Sequence, residues 1–371
     1  MIPDAINQVD NWRKTSLHYA VINNNNYIVK LLLKRGADNK ASDHCNKTIL
    51  HYAVINKNED MAELLLPKMT IKSITQRSIS GKTVLHYASK LNCKYFIKLL
   101  LEKGVEIINQ FDNNGWTALH TALYNREVKK DLIELLLKNG ADINYRSESG
   151  LTLLHYAVLS CNKDIIKLLL KEMSLDLLNQ TAEGGHTVLH YAIGIMRQDI
   201  IELLLDSGVN INKASNDSIP LLPYSIQTGR KDIVELFLDK MSLDLINQVD
   251  SSGKTGLHLA AILNKQDIVK FLIDSGKCDV TIRDKMGNHI FSSYSMGHVY
   301  NREMKDLLMK YSLQDTDNDN KSLENTTNYY KTENYCIFQS LYKDMETIYE
   351  LPEENNSPTS LGLVITDIEQ T

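Results

Sequence analysis

Histidine is the residue of this 371-residue chain whose spacing most suggests chemistry. His18, His51, His86, His120, His155, His190 and His258 stand 33, 35, 34, 35, 35 and then 68 residues apart. Imidazole ligates transition metals and carries protons near neutral pH, so a regular set of seven invites both readings. A zinc–nitrogen bond, however, is about 2 Å long. Groups repeated once per period sit on elements packed about 10 Å apart. The ladder spreads its imidazoles instead of converging them, and the seven histidines are expected to be structural.

Other reactive patterns fail on their own residues. Gly81-Lys82-Thr83 and Gly253-Lys254-Thr255 look like the end of a phosphate-binding loop, but Gln76 and Gln248 stand where that motif requires Gly. No metalloprotease HExxH and no GxSxG nucleophile elbow occurs. The 5 Cys are scattered with no CxxC pair, which argues against a disulfide or zinc framework. We expect no catalytic residue, no cofactor, no metal and no enzyme. Lys+Arg 41 against Asp+Glu 46 gives −5, which does not suggest a nucleic-acid partner. No apolar run reaches the roughly 18 residues of a membrane helix, and Met1-Ile2-Pro3-Asp4 lacks the basic and apolar regions of a signal peptide. The expected setting is cytoplasmic, or a host cell reached without a classical signal peptide.

The elements that carry the histidines explain their spacing. Each sits in a pattern Thr-x-Leu-His-Tyr-Ala: Thr15 to Ala20, Thr48 to Ala53, Thr83 to Ala88, Thr117 to Ala122 (Thr121 for Tyr), Thr152 to Ala157, Thr187 to Ala192 and Thr255 to Ala260 (Leu259 for Tyr). The double step hides a member, Pro220-Leu221-Leu222-Pro223-Tyr224-Ser225, and a worn ninth copy runs from Asp284 to Leu308. A polar turn such as Asp112-Asn113-Asn114-Gly115 precedes the Thr; its Gly, or Asn46 in the second copy, suits a left-handed backbone. A short apolar helix follows, then a second helix such as Asp164 to Leu170, closed at Gly36, Gly104, Gly140, Gly208 or Gly276. Where Met69, Met173 or Met241 replaces that Gly, the next His position lies 17 residues on instead of 15 or 16. Ser174 and Ser242 are placed to cap an extra helical turn there. Met1 to Gln8 aligns with Met241 to Gln248, so the first unit begins inside such a connection. That opening suggests upstream repeats in a longer parent chain, or an exposed end face capable of self-association.

This grammar resembles the ankyrin repeat: turn, Thr-Pro-Leu-His-x-Ala, helix, helix, at a period near 33. The resemblance covers about residues 1–311. It implies an all-α ankyrin-repeat solenoid with units near 7–41, 42–75, 76–109, 110–144, 145–178, 179–212, 213–246, 247–281 and a degenerate 282–311. The family's Pro is absent throughout, replaced by Ser16, Ile49, Val84, Ala118, Leu153, Val188 and Gly256, so these helices lack the preset first turn. The resemblance also implies that each ladder histidine bonds the backbone of an adjoining loop. Helices this short are marginal alone; stacking gives them one continuous core. The Tyr after each His (Tyr19, Tyr52, Tyr87, Tyr156, Tyr191, Tyr224) is expected to pack between units. In its AT-rich bias and Met-Ser-Leu-Asp connections, the chain is similar to ankyrin proteins of obligate intracellular bacteria.

What the resemblance implies functionally is a non-enzymatic scaffold that binds one or more proteins, with a secreted effector as one form. Recognition in such proteins sits at turn tips and on the exposed face of the first helix. Carried over, the tips offer Trp12, Lys14, His44, Lys47, Lys82, Trp116, Leu151, His186 and Lys254. The helix face offers Ile22, Ile55, Leu91, Tyr124, Leu159, Ile195 and Ile262. Trp12 and Trp116 lead, because tryptophan dominates binding hot spots and a tip offers little to bury an indole. Residues 312–371 hold 12 acidic and 3 basic residues, a net −9, which leaves +4 on the repeats. This acidic tail is expected to be largely disordered, with Phe338, Leu341, Met345 and Ile348 at helical spacing over 334–350. Tyr349, in Glu346-Thr347-Ile348-Tyr349-Glu350, resembles the tyrosine-phosphorylation motifs of some bacterial effectors. Self-assembly through the N-terminal face, or an adaptor driven by the tail, are the alternatives.

Overall fold

The computed structural model describes residues 3–104, 106–125, 127–213 and 220–290, with Met304 and Leu308. All lie in the first of two bodies into which the chain divides, Met1–Thr327. The tail, its expected helix at 334–350, Tyr349 and most of the ninth copy lie outside the described residues.

Among the described residues the architecture is a run of eight helix pairs with no extended strand. The first helices are Ser16–Ile22, Ile49–Ile55, Val84–Lys90, Ala118–Tyr124, Leu153–Leu159, Val188–Gly194, Leu221–Gln227 and Gly256–Ile262. The second helices are Asn26–Lys34, Glu59–Leu65, Lys94–Glu102, Lys130–Lys138, Lys163–Glu172, Gln198–Asp206, Lys231–Lys240 and Gln266–Asp274. Single antiparallel bridges, Val9–Thr15, Ser42–Thr48, Phe111–Thr117 and Arg146–Thr152, pin the arms of four turns.

A shared cap starts the first helices. Thr15 adopts extended backbone, its Oγ1 lies 2.9 Å from His18 Nδ1, and its own N–H donates to that Nδ1 at 3.1 Å. This is a capping box with His in place of Glu or Gln at the third helical position. It recurs at Thr48, Thr83, Thr117, Thr152, Thr187 and Thr255. The cap supplies the ordered first turn that the family's missing Pro would otherwise preset. In the seventh unit Pro220 is the N-cap and Pro223 occupies the His place, where neither cap bond can form.

Each seven-residue first helix buries one stripe: Leu17 and Val21, Leu50 and Val54, Leu119 and Leu123, Leu189 and Ile193 are all at 1% exposure or less. Each second helix adds its own, such as Ile133 and Leu136, or Ile200 and Leu204. First helices pack on first helices of the next unit along the run. No pair could cover these stripes alone, so the neighbours are part of each unit's core.

The long connections contain a helical turn. Thr70 caps Ile71–Ile74, Ser174 caps Leu175–Leu178 through Leu177 N–H, and Ser242 precedes Leu243–Ile246. Pro3–Asn7 is the corresponding 3₁₀ turn at the start. Asn7 plays the part of its counterpart Asn247: Asp38 N–H donates to Asn7 Oδ1 at 2.8 Å, and Asp279 N–H to Asn247 Oδ1 at 2.7 Å. Asn109 and Asn179 make the same bond to Asp142 and Asn210.

Candidate partner-binding surface at the turn tips

Most tips are built on an acidic or hydroxyl side chain at the first position; the sixth has Ala182 there. Asp10 Oδ1 accepts Trp12 and Lys14 N–H at 2.9 and 2.8 Å; Asp112 Oδ1 accepts Asn114 and Trp116 N–H at 2.9 and 3.0 Å. The left-handed residue that closes the turn is Arg13 (φ 57), Asn46 (φ 61) or a Gly such as Gly115 (φ 72). Successive tips are bonded edge to edge. His44 N–H donates to Trp12 O at 2.9 Å, Ile79 to Cys45 O at 3.0 Å, Asn113 to Ser80 O at 3.0 Å and Lys285 to Ser252 O at 3.0 Å. The approach is close enough that a Cβ on Gly81 would stand 2.7 Å from Asn113 N.

The expected tip residues divide into two groups. Trp12 stands at the apex of the first turn and is 58% exposed, with its ring 5.2 Å from that of His44, which is also exposed. Trp116 does not share that place. It precedes the Thr directly, where the chain turns inward, and its indole sits between Tyr124 at 5.2 Å and Tyr156 at 5.3 Å, only 6% exposed. Leu151 (0%) and His186 (2%) occupy the same inward position, the latter against His190 and Tyr191. The expectation that Trp116, Leu151 and His186 lie exposed is therefore corrected: a residue before the capping Thr packs under the next unit. Lys14 fills this position in the first unit, half-buried, its Nζ 5.4 Å from the Tyr52 ring centroid. Lys47 fills it in the second, buried, over Tyr87 at 5.6 Å. Lys82 and Lys254 are half-buried.

The first-helix row is likewise not an open apolar groove. Leu159 and Ile262 are buried, and Ile22, Ile55, Leu91, Tyr124 and Ile195 are half-buried. These residues line the seam between adjacent first helices. The amide of Asn56 crosses that seam to Ile22 O at 2.9 Å, and Asn125 to Lys90 O at 2.8 Å.

Several exposed tip residues escaped the sequence reading, among them Met286 (64%), which holds the place of Trp12 in the last described tip. Ile79 (63%) holds the place of His44 in the next tip, and Phe111 (52%) flanks the tip after it. Aligning the turns by position rather than by residue type would have found Ile79. Together Trp12, His44, Ile79 and Phe111 form an exposed row along four consecutive, mutually bonded tips.

The ladder histidines are buried and cannot serve as neutral-pH acid–bases. Nδ1 accepts the cap N–H, so the neutral ring carries its proton on Nε2. In His86 that proton is donated to Trp116 O at 2.8 Å. His18, His155 and His258 face the backbone of Lys47, His186 and Asn288 without closing that bond, and their buried Nε2 atoms have no hydrogen-bond partner. Burial pushes His120 and His155 down to about 3. The following Tyr meets the preceding unit's ring edge-on: His51 with Tyr87 at 5.5 Å, His120 with Tyr156 at 5.4 Å, His155 with Tyr191 at 5.0 Å. A different group of donors does converge, at the second tip: Asp43, His44 and Cys45 place ligating atoms within 4.8 Å of one another. A concavity of about 440 Å³ between the second and third units is lined by Lys57, Glu59, Cys93, Lys94, Tyr95 and Lys98 among others; Lys94 is paired there with Asp131 at 2.7 Å.

Comparison with known proteins agrees with this geometry. A family model described as "Ankyrin repeats (3 copies)" matches residues 2–78, 70–147, 129–217 and 213–284. The chain is 33% identical over 150 residues to the B-cell lymphoma 3 protein homolog of Mus musculus, covering 40% of this chain and 33% of that protein. It is 38% identical over 106 residues to an ankyrin repeat protein of fowlpox virus (27% and 30%), and 30% identical over 80 residues to the human inhibitor of Bruton tyrosine kinase (22% and 6%). The matches span a third or less of these relatives' own length. Among the described residues no helix is long and apolar enough to cross a membrane. With its period, its Thr–His caps and its bonded row of tips, the chain belongs to the ankyrin repeat family.

Proposed function

We propose that the chain is a non-enzymatic scaffold that binds a protein partner through the tips of its first units, with Trp12 and His44 as the centre of contact and the half-buried Lys14 at its edge. The observation that carries this reading is the Trp12 indole: 58% exposed at a rigid, hydrogen-bonded tip and flanked by an exposed imidazole. Large apolar side chains are normally spent on burial, as Trp116 is, and an exposed aromatic held in place is the usual anchor of an interface. Ile79 and Phe111 extend the contact along neighbouring tips. Ankyrin repeats are in general protein-interaction modules, which supports the class. The test is binding of a purified partner to wild-type chain and to Trp12→Ala; unchanged affinity removes the tip from the contact. Action on host proteins is a further step of this reading, checked by an export assay in an intracellular bacterium.

A second reading, self-association through the first unit's outer face, is favoured by Tyr27. It is 74% exposed, whereas Tyr95, at the same position of the third unit, donates its hydroxyl to Glu63 of the unit before. Tyr27 is thus in register to meet another repeat. Sedimentation at rising concentration decides: a strict monomer excludes it, and a dimer dissociated by Tyr27→Ser supports it.

A further inference from the structure

We propose that the second turn tip is a transition-metal site, in which the Cys45 thiolate, His44 Nε2 and the Asp43 carboxylate hold a zinc-class divalent ion. The donors are three consecutive residues, and their ligating atoms all lie within 4.8 Å of one another. His44 Nε2 and Cys45 Sγ are 3.3 Å apart. Two ligands of one zinc ion, with a Zn–S bond of about 2.3 Å and a Zn–N bond of about 2.0–2.1 Å, stand roughly 3.3–3.6 Å apart at near-tetrahedral angles. The pair therefore already has the separation that a shared ion imposes.

The surroundings set both the tautomer and the carboxylate. His44 Nδ1 faces Trp12 O at 3.3 Å, so the ring proton belongs on Nδ1 and the Nε2 lone pair points to the thiol. An imidazole whose other nitrogen donates to a backbone carbonyl is the usual outer support of a metal-bound histidine. Asp43 is 1% exposed; Oδ1 accepts Lys47 N–H at 2.8 Å and Oδ2 accepts the Tyr52 hydroxyl at 2.5 Å. An oxygen that accepts one hydroxyl, as Oδ2 does from Tyr52, still has a second lone pair, so the carboxylate is fixed yet able to ligate through Oδ2. The corresponding tip positions elsewhere hold Asn11 and Trp12, Ile79 and Ser80, Asn113 and Asn114, or Glu148 and Ser149. None of these pairs an imidazole with a thiol, so the donor set is a feature of this tip and not of the repeat.

Sulfur and imidazole together select zinc, cobalt or copper over magnesium or calcium. Binding deprotonates Cys45, with the proton passing to solvent. Three chain ligands leave one position for water, at an exposed rim beside Trp12. The proposal is independent of any protein partner, because its test uses the metal alone.

The experiment is anaerobic titration of the reduced full-length chain with Co²⁺, followed by the near-ultraviolet thiolate-to-cobalt charge-transfer band and by displacement with Zn²⁺. Wild-type chain is expected to saturate at one equivalent. Cys45→Ser should abolish the band, and His44→Ala should weaken affinity at least ~10-fold, with circular dichroism unchanged because His44 is exposed and Cys45 half-buried. Absence of a saturable band in the wild type, or a band of equal strength in Cys45→Ser, overturns the site.

Discussion

The Nε2 of His86 stands 2.8 Å from the carbonyl oxygen of Trp116, in the following unit. The same ring accepts Thr83 N–H on Nδ1 at 3.1 Å. One neutral imidazole therefore caps its own helix and ties that helix to the next tip. A protonated ring would turn an N–H toward the Thr83 N–H and break the cap. The cap, shared by seven of the eight described helix pairs, explains why a buried, apparently reactive residue recurs without forming a site.

Removing one such ring should loosen two units at once. His155→Ala leaves the Thr152 N–H unbonded and opens a space against Tyr191 of the following unit, and should cost about 2–4 kcal/mol. His44→Ala, at an exposed tip, should change stability by less than about 0.5 kcal/mol. Urea unfolding of the two variants beside wild type checks the contrast.

Acid should weaken the stack in a defined window. His120 and His155 are held near 3 in the fold, against 6.5 for a free imidazole. Between those values the unfolded chain binds more protons, so stability falls as pH drops from about 6.5 toward 3, by up to about 1.4 kcal/mol per pH unit for each ring. Above about 7 these rings contribute no pH dependence. Denaturant midpoints measured from pH 8 to pH 4 test the sign. His155→Gln should flatten the slope.

The two tryptophans should separate in stability. Trp116→Ala empties the space between Tyr124 and Tyr156 and should cost about 3–5 kcal/mol, while Trp12→Ala should stay within about 0.5 kcal/mol of wild type. Thermal melts of both variants report this, and equal losses would refute the assigned burial.

Glycines at tips and at helix ends should also separate. Both Gly81 and Gly140 have left-handed backbone (φ 78 and 86), but a Cβ on Gly140 meets nothing within 4 Å, whereas one on Gly81 meets Asn113 N at 2.7 Å. Gly140→Ala should lose about 1 kcal/mol, and Gly81→Ala clearly more, because the next tip must move. Chemical denaturation of the pair measures the difference.

The helix pairs, their Gly ends and the extra turns at Leu175–Leu178 and Leu243–Ile246 were readable in the sequence. Each rests on a local rule: a period, a cap, a left-handed residue. Residue exposure at the tips was not. Trp12 and Trp116 both lie in polar turn segments, and only the turn's register shows that one is the apex while the other precedes the Thr and points inward. The first-helix aliphatics misled for a related reason, since they line a seam that exists only once neighbouring units stack. The convergence of Asp43, His44 and Cys45 was equally hidden, because adjacency in sequence does not set side-chain direction until the turn is built.

Binding of a protein partner at the first turn tips is the proposal that Trp12 and His44 carry. The most direct measurement is the dissociation constant of a purified partner for wild-type chain, Trp12→Ala and His44→Ala, each matched by a thermal melt. Trp12→Ala should bind at least ~10-fold more weakly at an unchanged melting temperature, as expected of an interface anchor. Affinity equal to wild type in Trp12→Ala would contradict it.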